Sequence, residues 1–175
     1  MRLFIAINFS EEFKDGLAEL SADLSKCAIF SRMTQKQNYH LTLVFLGEQE
    51  RTEDIKAAMD AVHTAPFTIA AHHVGKFPSR DSAVFWIGLK HNPALLALQS
   101  DLCQELRQRG FTFDKRNFRP HLTLIREALM PPDFDISAYS CPMEGREEKI
   151  SRISLMESKR INGKLVYEEL YSKDL

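Results

Sequence analysis

Apolar and polar residues recur along this chain at two spacings, one suited to strands and one to helices. Leu3 to Ile7 is wholly apolar, which predicts a strand buried on both faces. Ser10 followed by Glu11 and Glu12 reads as an N-cap with acids in the positive first turn. Phe13, Leu17, Leu20 and Leu24 then recur at helical spacing, predicting an amphipathic helix to about Lys26. Ala28 to Met33 is extended, and Leu41 to Leu46 is a buried strand that Gly47 ends. Thr52 reads as the cap of a second helix, with Ile55, Met59 and Val62 buried and Pro66 as its breaker. Phe67 to Val74 and Ala83 to Leu89 are further strands. Asn92-Pro93 predicts a helix start, cap and then N1 proline. Leu95, Leu98, Leu102 and Leu106 line its buried face, and Gly110 stops it. Leu122 to Ile125 is another buried strand, and Met130-Pro131-Pro132 opens an irregular segment. Lys149 to Met156 and Leu165 to Leu170 read as the last strands, with Asn162-Gly163 as a hairpin turn.

Two of these strands begin with the same tetrapeptide. His40-Leu41-Thr42-Leu43 recurs as His121-Leu122-Thr123-Leu124, an offset of 121 − 40 = 81. Successive side chains on a strand face opposite ways. Each copy therefore turns its His and Thr to one face and its two leucines to the other, into a core. At the same offset Phe4 falls on Phe85, Leu17 on Leu98 and Phe30 on Phe111. These coincidences predict an internal duplication with units of about 3–83 and 84–164 plus a C-terminal strand. The two units would intertwine into a single domain spanning 1–175. The fold class expected is α+β: two mostly antiparallel sheets related by a pseudo-two-fold axis, facing a central groove, with helices outside.

Composition narrows the function. Of 175 residues, 44% are hydrophobic and 27% charged, which suits one folded domain and argues against disorder. A net charge of −1 gives no global field for nucleic acid, so any basic site must be local. Three cysteines with no C-x-x-C argue against a disulfide framework and a zinc site. The opening apolar run stops at Asn8, too short for a signal peptide or a membrane span. A cytoplasmic, monomeric protein with no membrane or obligatory protein partner is expected. His72 and His73, adjacent on a strand, are expected to point apart and carry no function. Lys115, Arg116 and Arg119, interleaved with Phe118 beside the second motif, suit either a solvated loop or a phosphate chain with a stacked base.

Two imidazoles and two hydroxyls around one groove suit phosphodiester cleavage. One imidazole takes a proton from the attacking water and the other gives one to the leaving oxygen. Thr42 and Thr123 would hold the non-bridging oxygens as charge builds there. Metal catalysis is disfavoured, because no Asp or Glu lies near either His in sequence.

The runs His40-Leu41-Thr42-Leu43-Val44-Phe45-Leu46-Gly47 and Pro120-His121-Leu122-Thr123-Leu124-Ile125-Arg126 resemble the paired motifs of the two-histidine (2H) phosphoesterases. Within these the chain is most similar to the bacterial RNA 2′,3′-cyclic phosphodiesterases, also described as 2′–5′ RNA ligases. Arg2 to Ile7 and the segment from Ser79-Arg80 through Trp86-Ile87-Gly88 add to the likeness. The resemblance implies a bilobal fold with the site between sheets. It also implies hydrolysis of RNA 2′,3′-cyclic phosphate ends to 2′-phosphates without metal or nucleotide cofactor. Carried over by motif position, His40 is the general acid and His121 the general base. Arg126 is implied as a substrate contact, although strict alternation would send it to the far face unless a bulge turns it back. Phe77 and Arg80 match no motif and stay unassigned.

Overall fold

The computed structural model describes residues 1–113 and 118–175, so Lys115 and Arg116 lie outside the described residues. Its strands are β1 (Arg2–Asn8), β2 (Phe30–Met33), β3 (His40–Glu48), β4 (Phe67–Pro78), β5 (Ala83–Leu89), β6 (His121–Leu129), β7 (Glu147–Ile150), β8 (Arg152–Ile161) and β9 (Lys164–Asp174). Its helices are α1 (Glu11–Lys26), α2 (Thr52–Asp60) and α3 (Pro93–Gln108). One sheet runs β3-β1-β8-β9 and the other β2-β6-β5-β4-β7. The pairings are antiparallel throughout. This is the α+β architecture that the alternation of strand and helix patterns predicts.

Strand β1 is buried on both faces, for two different reasons. Leu3, Ile5 and Ile7 enter the main core, whereas Phe4 and Ala6 pack on the opposite face with Met156 and Tyr167. The helices cover the leucine side. Leu41, Leu43, Leu122 and Leu124 share one core with the apolar stripes of α1 and α3. Helix α1 packs on β6 and β2, and α3 on β3 and β4. The opposite face of each motif strand, the one that carries His and Thr, is left for the groove.

The caps form where sequence placed them, with one exception. Ser10 Oγ accepts from the Phe13 N–H at 3.2 Å, and Asn92 Oδ1 from the Leu95 N–H at 3.0 Å. Gly110 stops α3 with φ +79°, and Asn162 (φ 50°) and Gly163 (φ 77°) make the tight β8–β9 turn. Thr52, however, is not a cap. It is the first residue of α2, and Arg51 holds the cap position without a side-chain cap bond. Arg51 instead bonds Asp54 (2.7 Å) and the Arg109 carbonyl (3.0 Å) and lies 4.7 Å over the Phe111 ring. Docking against the end of α3 sets this helix start, in place of a hydroxyl.

Two other expectations change. The run Lys149 to Met156 is not one strand. It breaks at Ser151, and β7 pairs with β4 in one sheet while β8 pairs with β1 in the other. Apolar periodicity continues through such a sheet switch and so hides it. His72 and His73 do not point apart: their rings are 4.7 Å apart. The β4–β5 register slips by one residue between Ala71 and Val74, and this bulge turns both rings to the same side.

Element bounds recur at the expected offset. Strand β1 maps onto β5 (83 − 2 = 81, 89 − 8 = 81) and β3 onto β6 (121 − 40 = 81, 129 − 48 = 81). Each motif strand pairs with the strand that opens its own half: β3 with β1, β6 with β5. The next strand over comes from the other half of the chain: β8 beside β1, β4 beside β5.

Candidate active site

The alternation inside the motifs is observed. Leu41, Leu43, Leu122 and Leu124 are buried, while His40, Thr42, His121 and Thr123 are half-buried. Those four polar residues line one cavity of about 170 Å³, together with Thr34, Asn38, Arg126 and Tyr167. Strands β3 and β6 belong to different sheets, so the convergence of the two histidines comes from how the sheets meet.

Both rings are held by the same local device. His40 Nδ1 is 2.8 Å from the Asn38 carbonyl, and His121 Nδ1 is 2.7 Å from the Arg119 carbonyl. A carbonyl only accepts, so each Nδ1 carries the hydrogen and each Nε2 is left for chemistry. His40 Nε2 stands 3.0 Å from Thr42 Oγ1. In the neutral ring, that hydroxyl donates to it.

The surroundings of the two rings differ. Phe4 and Tyr167 each approach His40 to 4.9 Å between ring centres. Burial among them pushes the His40 pKa down to about 4, and the Arg126 guanidinium and the nearby His121 ring act the same way. The Asn38 carbonyl acts in the opposite sense. His121 is walled by Phe77 at 5.1 Å and Trp86 at 6.1 Å. Trp86 lies flat over Gly75, where a Cβ would sit 2.3 Å from the indole ring, so only glycine admits this aromatic wall.

Arg126 joins the site through a bulge. Opposite β2, Arg32 pairs with Glu127 and Met33 with Ile125, which leaves Arg126 as an extra residue in β6. Opposite β5, Phe85 pairs with Ile125 and Ala83 with Ala128, so β6 carries an extra residue there as well. The alternation resets here, Leu124 and Ile125 are both buried, and Arg126 turns into the cavity. Its guanidinium donates to the Tyr167 hydroxyl at 2.9 Å.

A second cavity, of about 410 Å³, opens beside His40, lined by Phe4, Phe45, Tyr167, Arg2 and Arg126 among others. Phe45 is 46% exposed and carries the Arg2 guanidinium 5.1 Å above its ring. Sequence reading missed Phe45, although it follows His40 by five residues as Arg126 follows His121 (45 − 40 = 5, 126 − 121 = 5). Tyr167, Phe4, Thr34 and Asn38 were also missed, and no local pattern marks them. Phe77, which matches no motif, packs edge-on against His121.

Thr34 is 6% exposed and its hydroxyl has no hydrogen-bond partner among the described residues. Burying an unpaired hydroxyl costs about 1–3 kcal/mol. Thr34→Val keeps the shape and removes the orphan oxygen. Its unfolding midpoint in urea is expected to rise by an amount equivalent to about 1 kcal/mol. A fall would mean that the hydroxyl is satisfied in solution.

Among the described residues, no group of three or more His, Cys, Asp or Glu is gathered to hold a metal ion. No described helix is long and apolar enough to cross a membrane.

A groove between two antiparallel sheets, with one HxT motif on each wall, defines a two-histidine phosphoesterase architecture. The chain belongs to the 2′-5′ RNA ligase superfamily, whose sequence profile matches residues 10–160. An RNA 2′,3′-cyclic phosphodiesterase of Thermotoga maritima is 30% identical over 176 residues, covering 98% of this chain and 94% of that protein. One from Geobacillus stearothermophilus is 34% identical over 129 residues, which is 71% of this chain and 41% of that longer protein. Escherichia coli LigT complexed with 3′-AMP superposes with a TM-score of 0.82 at 25% identity, over 99% of this chain and 97% of that one.

Proposed function

We propose that this protein opens RNA 2′,3′-cyclic phosphate ends to 2′-phosphates by acid–base catalysis between His40 and His121. It needs no metal or nucleotide cofactor. The observation that carries this reading is the shared cavity: two imidazoles anchored through Nδ1, two threonine hydroxyls and one arginine around a space of about 170 Å³. The relatives' named activity agrees with it.

In the proposed reaction His121 Nε2 takes a proton from water as the water oxygen bonds to phosphorus. The bond from phosphorus to the 3′-oxygen breaks, and His40 gives its proton to that oxygen. The products are a 2′-phosphate and a 3′-hydroxyl. Thr42, Thr123 and Arg126 hold the non-bridging oxygens as negative charge concentrates on them. In-line attack places the water opposite the leaving ribose oxygen. The roomier cavity, with Phe45 and Tyr167 to face a base, opens on the His40 side. A nucleoside bound there puts its leaving oxygen next to His40, which supports His40 as the acid. In 2′–5′ joining of ends, a 5′-hydroxyl takes the place of the attacking water: His121 accepts its proton, the bond from phosphorus to the 3′-oxygen breaks, and His40 protonates that oxygen.

The same reading takes residues 1–175 as one domain of two intertwined, duplicated units. It acts as a cytoplasmic monomer with RNA ends as its only required partner. Three free cysteines suit a reducing compartment.

The test is product analysis. An RNA oligonucleotide ending in a 2′,3′-cyclic phosphate is incubated with the protein in excess chelator, and the end group is identified. A 2′-phosphate is expected. An end that stays cyclic while bound would make the protein a non-catalytic RNA-end binder. A 3′-phosphate would mean that the acid serves the 2′-oxygen. Turnover of other cyclic or 2′–5′-linked nucleotides alone would redirect the substrate class.

A further inference from the structure

A third cavity, of about 320 Å³, lies between the β8–β9 hairpin and strand β2. Arg32, Arg126, Arg160 and Lys164 line it, with no carboxylate among its described lining residues. This is a local excess of positive charge in a chain whose net charge is −1. Arg32 is paired with Glu127 at 3.3 Å. Lys159, on the same hairpin, is paired with Glu157 and Glu168. Arg160 and Lys164 have no carboxylate partner among the described residues. Among the described residues Arg160 donates only to the Gly163 carbonyl at the turn, at 3.2 Å.

We propose that this groove binds the phosphate joining the last two nucleotides of the RNA, so that the protein selects oligonucleotide ends over cyclic mononucleotides. The inference rests on the proposed function and adds a specificity-determining subsite to it.

Three observations lead there. The first is continuity. Arg126 lines the catalytic cavity, the larger cavity beside His40 and this groove, and Arg160 lines the last two. In RNA, the cyclic phosphate and the next phosphate are separated by a single ribose, so a strand gripped at Arg126 runs on into an adjoining groove. The second is chemistry. The cavity beside His40 offers aromatic rings, which stack on bases. Among the described residues the hairpin groove offers guanidinium and ammonium groups and no aromatic ring, which suits phosphate oxygens. The third is rigidity. The hairpin turns on Asn162 and Gly163, both at positive φ, and the Asn38 amide donates to the Leu165 carbonyl at 3.0 Å. That bond fastens the start of β9 to the segment that orients His40. The cations therefore stand on a braced platform.

The experiment compares kcat/KM for a nucleoside 2′,3′-cyclic phosphate and for a dinucleotide ending in the same cyclic nucleotide. At low salt the wild-type protein is expected to favour the dinucleotide by about tenfold or more. That preference should weaken as salt rises, with a log–log slope of about −0.7 for one single-strand phosphate contact. In the double variant Arg160→Ala/Lys164→Ala the ratio of the two kcat/KM values is expected to fall toward one, through KM for the dinucleotide. Arg160→Lys, which keeps the charge, should retain most of the preference. Equal kcat/KM values in the wild type would overturn the subsite, as would a double variant that slows both substrates alike. If the mononucleotide is opened without any preference, only the groove assignment falls. If neither substrate is opened, the functional reading beneath it falls as well.

Discussion

His121→Ala is expected to lower kcat for opening a 2′,3′-cyclic phosphate by about 10²–10⁴-fold, and His40→Ala by a similar factor, the usual range for removing one general acid or base. Neither should change the unfolding midpoint in the direction of collapse, because both rings are half-buried groove residues outside the main core. The two variants separate on a second substrate. A p-nitrophenyl phosphodiester releases its leaving group without a proton. With His40 as the acid, His40→Ala retains most activity on that ester, whereas His121→Ala stays impaired. The reverse pattern would exchange the two roles.

The His40 environment makes the acid role demanding. Burial holds its pKa near 4 in the free protein, so the ring is neutral at ordinary pH. An acid must carry a proton. An anionic phosphate entering beside the ring favours the charged form and raises the pKa, typically by 1–3 units. The kcat/KM profile follows the free protein and is therefore expected to show one limb near 4. The kcat profile follows the complex, and its corresponding limb should lie at higher pH. A limb at the same pH in both profiles would mean that substrate does not recharge His40.

How much of this was legible in sequence follows from what periodicity can encode. The alternation in His40-Leu41-Thr42-Leu43 fixes which face each side chain takes, and a repeat of the pattern fixes it twice. Helix starts at Ser10 and Asn92 were readable because a cap acts within three residues of itself. Thr52 misled because Arg51 is held by α3, far along the chain. Bulges break the two-residue period and leave no mark of their own, so the inward turn of Arg126 and the contact between His72 and His73 needed coordinates. Tyr167 was invisible for another reason. It reaches His40 from β9, on the far edge of the sheet from the first motif strand, a contact across the sheet that no local pattern records. Phe45 lies between these cases: its spacing from His40 copies that of Arg126 from His121, but an aromatic ring in place of a guanidinium hides the correspondence.

Arg126→Ala is expected to lower kcat/KM by about 10²–10³-fold, the range for losing one preorganised group aimed at developing negative charge. The guanidinium has no carboxylate partner among the described residues and spends one N–H on the neutral Tyr167 hydroxyl, so its charge remains available to an anion. The fork geometry matters along with the charge. Lysine retains the charge but not the planar pair of donors, so Arg126→Lys should recover only part of the loss. Tyr167→Phe keeps the ring against His40 and removes the acceptor that aims the guanidinium. Its loss should be smaller than that of Arg126→Ala, and should appear mainly in KM. A further consequence concerns the proton on His40. The Arg126 charge is one of the causes that lower the His40 pKa, so its removal must raise it. The acidic limb of kcat/KM in Arg126→Ala is therefore expected to move to higher pH than in the wild type. A variant with activity within a few-fold of wild type and an unmoved limb would show that the bulged arginine faces the cavity without acting on what it binds.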